Sequence, residues 1–276
     1  MSPKKNPNEK SGCGCLMALL LIVGASWLFW PSGPQPSPSG GTQAPPPPPV
    51  PSTVGPMKFD WPRGGADGKT ELAANLRMVN YYVVLDGSGS MSDRECAGGA
   101  TKMEAAKSAL AEFAKSVPAS AQLGLAAFDG AGTSERVPLG TGNRDHFLSA
   151  VRAVSANGGT PLRSSIGLGI EKLEEAARRQ LGYGDYNLVI VTDGAASPGE
   201  DPGGVVAEVL GRSPVIIHTI GFCIGKDHSL NQPGRTLYRA ADNPAELRAG
   251  LGEVLAESPK FDVSGFSALK GSAAQE

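Results

Sequence analysis

The residues best placed to do chemistry form a short loop rich in carboxylate and hydroxyl groups, which reads Asp86-Gly87-Ser88-Gly89-Ser90. A carboxylate and two hydroxyls stand at alternate positions. The glycines between them let the backbone fold tightly enough to turn all three oxygens toward one point. Hard divalent cations such as Mg²⁺ prefer oxygen ligands of this kind. The loop is therefore a candidate metal site.

Two later stretches could bring further oxygens to the same point. Residues 157–161 (NGGTP) form a glycine-rich turn ahead of a predicted helix, and residues 192–194 (TDG) follow an apolar run. In parallel α/β sheets, ligands bind outside the carboxyl ends of the strands, which is where we expect these loops to meet. The candidate metal ligands are therefore Asp86, Ser88, Ser90, Thr160 and Asp193.

Short apolar strands that alternate with amphipathic helices must position these loops. This alternation predicts an α/β fold, a doubly wound and mostly parallel sheet flanked by helices, over residues 57–257. The predicted strands are Val79–Leu85, Gln122–Phe128, Leu188–Val191 and Val215–Ile220, with a short edge strand at Arg136–Leu139. The predicted helices span 101–117, with Thr101 as cap, and 161–180, with shorter ones near 145–154, 203–211 and 244–256.

The order Asp-x-Ser-x-Ser, then Thr160, then Asp193 resembles the metal-ion-dependent adhesion site of von Willebrand factor A domains. The resemblance covers most of the predicted domain and matches every position of the motif. It implies a fold of that type with a bound Mg²⁺ or Mn²⁺. In members of this family, a carboxylate from a protein partner fills an open position on the metal.

The same resemblance implies that the site residues have different roles. Ser88 and Ser90 would bind the metal directly, and Thr160 would join them in the ligand-competent state. Asp86 and Asp193 would act largely through water and balance charge. The implied function is metal-dependent binding of a Glu or Asp side chain of another protein, in adhesion, assembly or scaffolding.

Two other classes of function stay open on the residues alone. The domain could be a metal-independent structural scaffold, or Ser88 or Ser90 could act with one of the three histidines in a hydrolase. The nucleophile elbow of such hydrolases needs glycines two residues before and two after the serine, where this chain has Asp86 and Ser90 around Ser88. We therefore expect no enzymatic activity. A formal net charge of −2 also disfavours nucleic acid as a partner.

The amino-terminal region predicts a membrane anchor. Residues 13–30 hold no charged residue, and as a helix they would span about 27 Å, enough to cross a bilayer. Three lysines within residues 1–12 place that tail in the cytosol. Residues 31–56 contain 11 of the 23 prolines and predict an extended linker. The domain would then lie outside, in the periplasm or extracellular space, and residues 258–276 would form a flexible tail.

Two cysteines of the predicted domain are candidates for a disulfide. Cys96 and Cys223 should both lie in loops at the metal-bearing edge of an exported, disulfide-permissive domain. The strands that precede them should be separated by a third strand, so the loop after Ser90 must lean across for the two to meet. Free buried thiols remain the alternative. The loop 222–234 should overhang the same edge.

Overall fold

The computed structural model describes residues 60–64 and 70–256. Among these residues, no helix has the length and apolar character needed to cross a membrane. The predicted cytosolic tail (1–12), membrane anchor (13–30), linker (31–56) and flexible tail (258–276) lie outside the described residues.

A sheet of six strands in the order β3-β2-β1-β4-β5-β6 forms the centre of the domain. It is parallel except for β3, which runs antiparallel to β2 at one edge. The central strands are apolar runs because helices cover both of their faces. The strands are β1 (Val79–Asp86), β2 (Gln122–Asp129), β3 (Gly132–Gly140), β4 (Asp185–Thr192), β5 (Ile216–Phe222) and β6 (Leu237–Ala241).

Helices cover the sheet on both faces. Along β1, Tyr81 and Leu85 pack against α1, α2 and α5, whereas Tyr82 and Val84 pack against α3 and α4. This alternation confirms the predicted α/β architecture. The helices are α1 (Lys102–Ser116), α2 (Arg144–Ala153), α3 (Leu162–Arg179), α4 (Gly203–Arg212) and α5 (Pro244–Ala256).

The start of α1 is defined by its first turn, as the sequence predicted. The side chain of Thr101 accepts a hydrogen bond from the backbone of Glu104, and the Glu104 carboxylate accepts one from the backbone of Thr101. This capping box satisfies two amide groups that a helix would otherwise leave unpaired. The first residue of α1 is thereby held close to the loop that follows β1.

The strand order places a topological switch point beside β1. The chain leaves β1 for β2 on one side, and β4 pairs with β1 on the other. Connections that diverge in this way open a crevice outside the carboxyl ends of the two strands, where α/β proteins bind ligands. Asp86 ends β1 and Thr192 ends β4 at this crevice.

Residues 60–64 pack near the amino-terminal ends of the strands. The ring of Trp61 packs edge-on against Tyr186, near the start of β4, with 5.4 Å between ring centroids. The backbone nitrogen of Arg63 donates a 2.7 Å hydrogen bond to Glu174 of α3. Glu174 is buried and also faces the guanidinium groups of Arg178 and Arg212. Residues 60–64 are therefore fastened far from the carboxyl ends of the strands.

One strand was not predicted from the sequence. The strand β6 has five residues and alternates between exposed and partly buried positions, with Arg239 at its centre. A run of five residues with a charged residue at its centre gives little hydrophobic signal. Its pairing with β5 closes the far edge of the sheet.

We predict that His218 makes the stability of the fold fall as the pH falls. His218 is buried in β5 with Nε2 3.2 Å from Asn187 Oδ1, and burial lowers the pKa of His218 from 6.5 to about 4. Between these values the unfolded chain binds a proton that the folded chain does not. From pH 7 to pH 5 this one group should therefore remove about 2 kcal/mol from the free energy of unfolding.

Urea unfolding of wild type and His218→Gln at a series of pH values, in chelator, checks this prediction. The variant should have the shallower dependence on pH, because other titrating groups such as Asp86 contribute equally to both proteins. The matched control is His146→Gln, which replaces an exposed histidine on α2 and should keep the wild-type dependence. Equal slopes for wild type and His218→Gln would contradict the prediction.

Candidate functional site

The five predicted site residues lie at the crevice between β1 and β4. Asp86 is the last residue of β1, and Asp193 follows the last residue of β4. Ser88 and Ser90 lie in the turn after β1, which ends in a short 3₁₀ helix, Gly89–Ser92. Thr160 stands two residues before α3. Three separate loops therefore bring these side chains to one edge of the sheet.

Asp86 is buried at the base of the site, with both carboxylate oxygens engaged. The backbone nitrogen of Ser88 donates to Oδ1 at 2.7 Å, and the hydroxyl of Thr192 donates to Oδ2 at 2.6 Å. Burial raises the pKa of Asp86 to about 6, although these hydrogen bonds act in the opposite direction. A cation nearby would stabilise the ionised carboxylate and offset the cost of its burial.

The hydroxyl groups form a chain that ends on the second carboxylate. Ser88 Oγ lies 3.1 Å from Ser90 Oγ, and Ser90 Oγ donates a 2.7 Å hydrogen bond to Asp193 Oδ1. Thr160 borders this chain of hydrogen bonds, because a methyl group built on Gly194 would be 3.6 Å from Ser90 Oγ and 3.8 Å from Thr160 Oγ1. The structure therefore brings Asp86, Ser88, Ser90 and Asp193 together and places Thr160 beside them.

Backbone hydrogen bonds hold the loops of the cluster together. The amide of Asn157 donates to Gly87 O at 2.8 Å, and the amide of Gly89 donates to Gly158 O at 3.1 Å. Gly87 itself sits so close to β2 that a Cβ there would lie 2.5 Å from the carbonyl oxygen of Phe128. Position 87 therefore needs glycine, because a side chain there would collide with the backbone of β2.

A lysine that sequence reasoning missed completes the cluster. Lys102, the first residue of α1, is 5% exposed, and its Nζ donates a 2.9 Å hydrogen bond to Asp193 Oδ2. A signal for it does exist in the sequence. Lys102 stands four and seven residues before Ala106 and Ala109 on the buried face of α1, where a lysine needs a partner.

A disulfide joins two loops that border the site, as one of the two alternatives predicted. Cys96, in the loop between β1 and α1, is bonded to Cys223, directly after β5, with 5.8 Å between their Cα atoms. Strand β4 lies between β1 and β5, so the first loop does lean across it. The loop after β5 also reaches the site, because His228 Nε2 lies 2.8 Å from Gly194 O.

The donor set fits a hard divalent cation. The side chains offer only hydroxyl and carboxylate oxygens, which Mg²⁺ and Mn²⁺ prefer over other ligands. Two neighbouring ligands of an octahedral Mg²⁺, each about 2.1 Å from the metal, stand about 3.0 Å apart. The separation of 3.1 Å between Ser88 Oγ and Ser90 Oγ matches this value. Both serine hydroxyls could therefore bind one ion without moving apart.

Comparison with known proteins identifies the type of domain. Residues 81–195, which include most of β1, all of β4 and all five site residues, match the family model of the von Willebrand factor type A domain. Residues 81–195 are therefore assigned to a von Willebrand factor type A domain, hereafter the A domain. The uncharacterized protein YwmC of Bacillus subtilis is 25% identical over 167 residues, covering 56% of this chain and 70% of that protein.

Solved structures share the fold of this A domain at low sequence identity. Proximal thread matrix protein 1 from the mussel byssus, in a structure with a zinc-occupied metal-ion-dependent adhesion site, has a TM-score of 0.52 and 17% identity, covering 67% of this chain and 48% of that one. Manganese-loaded TRAP protein of Plasmodium vivax has a TM-score of 0.51 and 20% identity, covering 66% and 74%. The chain thus spans about half of the mussel protein's length.

We predict that the disulfide contributes strongly to the stability of the A domain. The cysteines are 127 residues apart in sequence, so their bond restricts a long loop of the unfolded chain. Replacing both in the Cys96→Ser/Cys223→Ser variant should lower the free energy of unfolding by about 2–5 kcal/mol. Equilibrium unfolding in urea, with and without reductant, measures this loss.

The controls for this prediction use the remaining cysteines. A Cys13→Ser/Cys15→Ser variant should unfold like the wild type, and reductant should lower its stability as it does for the wild type. The Cys96→Ser/Cys223→Ser variant should not respond to reductant. A wild-type unfolding curve that reductant leaves unchanged would show that the two thiols are not paired.

Proposed function

We propose that the A domain binds Mg²⁺ or Mn²⁺ and uses the metal to bind a carboxylate of a protein partner. The hydroxyls of Ser88, Ser90 and Thr160 would hold the ion, with Asp86 and Asp193 acting through water. This proposal rests on the hydrogen bonds of the two carboxylates and on the spacing of the serine hydroxyls. Donors of the protein already occupy all four of their oxygens, while the serine hydroxyls stand at the spacing of neighbouring metal ligands.

This arrangement favours an anionic ligand. Neutral hydroxyls in direct contact with a divalent ion leave its charge largely uncompensated, because the carboxylates are a step further away. The ion then attracts an anion from outside the chain. A Glu or Asp side chain of another protein has the right charge and a hard oxygen. The proposed role is therefore metal-dependent adhesion, assembly or scaffolding.

Solved structures of the same fold support the proposal that a divalent metal binds at this site. Structures of the same fold carry zinc in the mussel protein and manganese in the Plasmodium protein. The oxygen donors of this site suit Mg²⁺ or Mn²⁺ better than zinc, which more often takes nitrogen and sulfur ligands. We therefore propose Mg²⁺, with Mn²⁺ as a substitute that the same ligands accept.

The alternative functions have less support. A metal-independent scaffold does not account for the match between the separation of the Ser88 and Ser90 hydroxyls and the spacing of neighbouring metal ligands. For a hydrolase, a histidine would have to contact Ser88 or Ser90, but His228 contacts the carbonyl of Gly194 and His218 contacts Asn187 in the sheet. Neither arrangement activates a serine nucleophile.

We also propose that the chain is anchored in a membrane through residues 13–30, with residues 1–12 in the cytosol. The A domain would lie outside, in the periplasm or the extracellular space. The distribution of lysines around the apolar segment supports this orientation. The disulfide between Cys96 and Cys223 supports it independently, because structural disulfides persist mainly in oxidising compartments.

We predict that the chain binds Mn²⁺ or Mg²⁺ at a single site and that Ser90→Ala abolishes this binding. The variant loses one proposed ligand and also the hydroxyl that positions Asp193. Isothermal titration calorimetry measures the affinity. The matched control is Ser92→Ala, two residues away in the same turn, whose exposed hydroxyl bonds only to its own turn at Gly89 O. This control should bind metal like the wild type.

Partner capture extends the same experiment. Crosslinked pull-downs from membranes should recover a partner with wild type and Ser92→Ala, and lose it with Ser90→Ala or after addition of chelator. Thr160→Ala should weaken capture of the partner more than it weakens metal binding. The mechanism is wrong if wild type binds no metal at millimolar concentrations and still captures the partner in chelator.

We predict that protease added to intact cells or spheroplasts removes the A domain. The domain would be exposed on the outer side of the membrane, whereas a cytosolic marker protein in the same cells should stay intact. Immunoblotting against the domain measures its loss. Protection of both the domain and the marker would mean that the proposed orientation is wrong.

A further inference from the structure

We infer that Lys102 sets the charge of the site so that the metal and an anionic ligand are bound more strongly together than either is alone. This inference rests on the proposed function, and it concerns a residue outside the motif. Lys102 acts through Asp193, and we therefore describe it as a positioning residue. Without this lysine, the site would hold its metal more tightly and gain less from the ligand.

The geometry of Asp193 limits how its carboxylate can approach a metal. Lys102 Nζ donates to Oδ2 at 2.9 Å and Ser90 Oγ donates to Oδ1 at 2.7 Å, so both carboxylate oxygens have donors. The side chains of Lys102 and Asp193 are 6% and 0% exposed, and water therefore screens their charges poorly. A rotation of the Asp193 carboxylate toward a metal would therefore weaken the buried ion pair with Lys102 or the hydrogen bond from Ser90.

The position of Lys102 in α1 adds to this effect. It is the first residue of a helix whose start is fixed by the capping box at Thr101 and Glu104. The partial positive charge of the helix amino terminus has the same sign as the ammonium group and lies at the same end of α1. The helix thus presents a fixed positive charge to the site, and the lysine is not free to swing into solvent.

Lys102 also changes the net charge of the cluster that contains Asp86 and Asp193. With Asp86 and Asp193 ionised, the lysine brings the cluster from −2 to −1. A divalent metal then makes it +1, and one ligand carboxylate makes it neutral. Without the lysine the metal alone would neutralise the cluster, and a ligand carboxylate would leave it negative. In a poorly screened site, the neutral combination is the favoured one. Lys102 therefore selects the state that holds both metal and ligand.

Reciprocal coupling makes this inference measurable. If the ligand carboxylate strengthens metal binding by some factor, the metal strengthens ligand binding by the same factor. Lys102 should enlarge this factor and lower the metal affinity of the ligand-free site. A purely structural ion pair that only fastens α1 would change stability and leave the coupling factor as it is.

The experiment compares wild type with Lys102→Met and Lys102→Gln in the full chain. Calorimetry measures the affinity for Mn²⁺ with and without acetate, which serves as the carboxylate probe. Removal of the positive charge should tighten Mn²⁺ binding without acetate by about tenfold or more. It should also reduce the factor by which acetate improves Mn²⁺ affinity. Lys102→Arg keeps the charge and should restore both wild-type values.

Stability measurements cover the case in which a variant folds poorly. In chelator, Lys102→Met should unfold at a lower temperature, because Asp193 is left buried without its ion-pair partner. Added Mn²⁺ should then raise its melting temperature by more than it raises that of the wild type. Lys102→Gln, which keeps a hydrogen-bond donor, provides the second variant for the same comparison.

The outcomes separate this inference from the proposed function. If wild type binds no Mn²⁺, the proposed metal site itself is wrong. If wild type binds Mn²⁺ but neither Lys102→Met nor Lys102→Gln binds it more tightly or with a smaller effect of acetate, the inference about Lys102 is overturned and the metal site stands. Tighter binding with a reduced effect of acetate supports both.

Discussion

The site depends on one buried carboxylate at the end of the central strand. Asp86 cannot be left there without hydrogen-bond donors, because an unpaired buried charge is strongly destabilising. The backbone of Ser88 supplies one donor and the hydroxyl of Thr192 the other, so the requirement of a single side chain fixes the first turn of one loop and ties it to the end of β4. The loop before α3 then docks onto that turn through Asn157 and Gly158.

Much of the fold and the site could be read from the sequence because both depend on strong local patterns. Buried parallel strands are continuous apolar runs, and the motif residues follow directly after them. Lys102 escaped notice because a lysine in an amphipathic helix usually faces water, and its burial depends on Asp193, which is 91 residues away in the sequence. The strand β6 escaped notice because a run of five residues, of which only Ala241 is buried, carries little periodicity. In both cases a tertiary contact overrides the local signal.

The loops around the site differ in what holds them. The turn after β1 and the loop before α3 are joined by backbone hydrogen bonds, whereas the loop after β5 is attached by the covalent bond between Cys96 and Cys223 and by the contact of His228 with Gly194. A rim built in this way would offer preorganised oxygens to the proposed ion and would lose little conformational entropy on binding. The long loop after β5 adds surface beside the ligand position, where a partner would meet it.

The contacts that fasten Trp61 and Arg63 to the domain have a mechanical consequence. The chain enters the domain beside the start of β4, and the candidate site lies beyond the other end of the same strand. A pulling force applied between these two points would run along β1 and β4, parallel to their axes. The hydrogen bonds that join these strands, from Val79 beside Asp185 to Leu85 beside Val191, would share that load in shear rather than opening one after another. A domain loaded in this direction would resist tension as a unit.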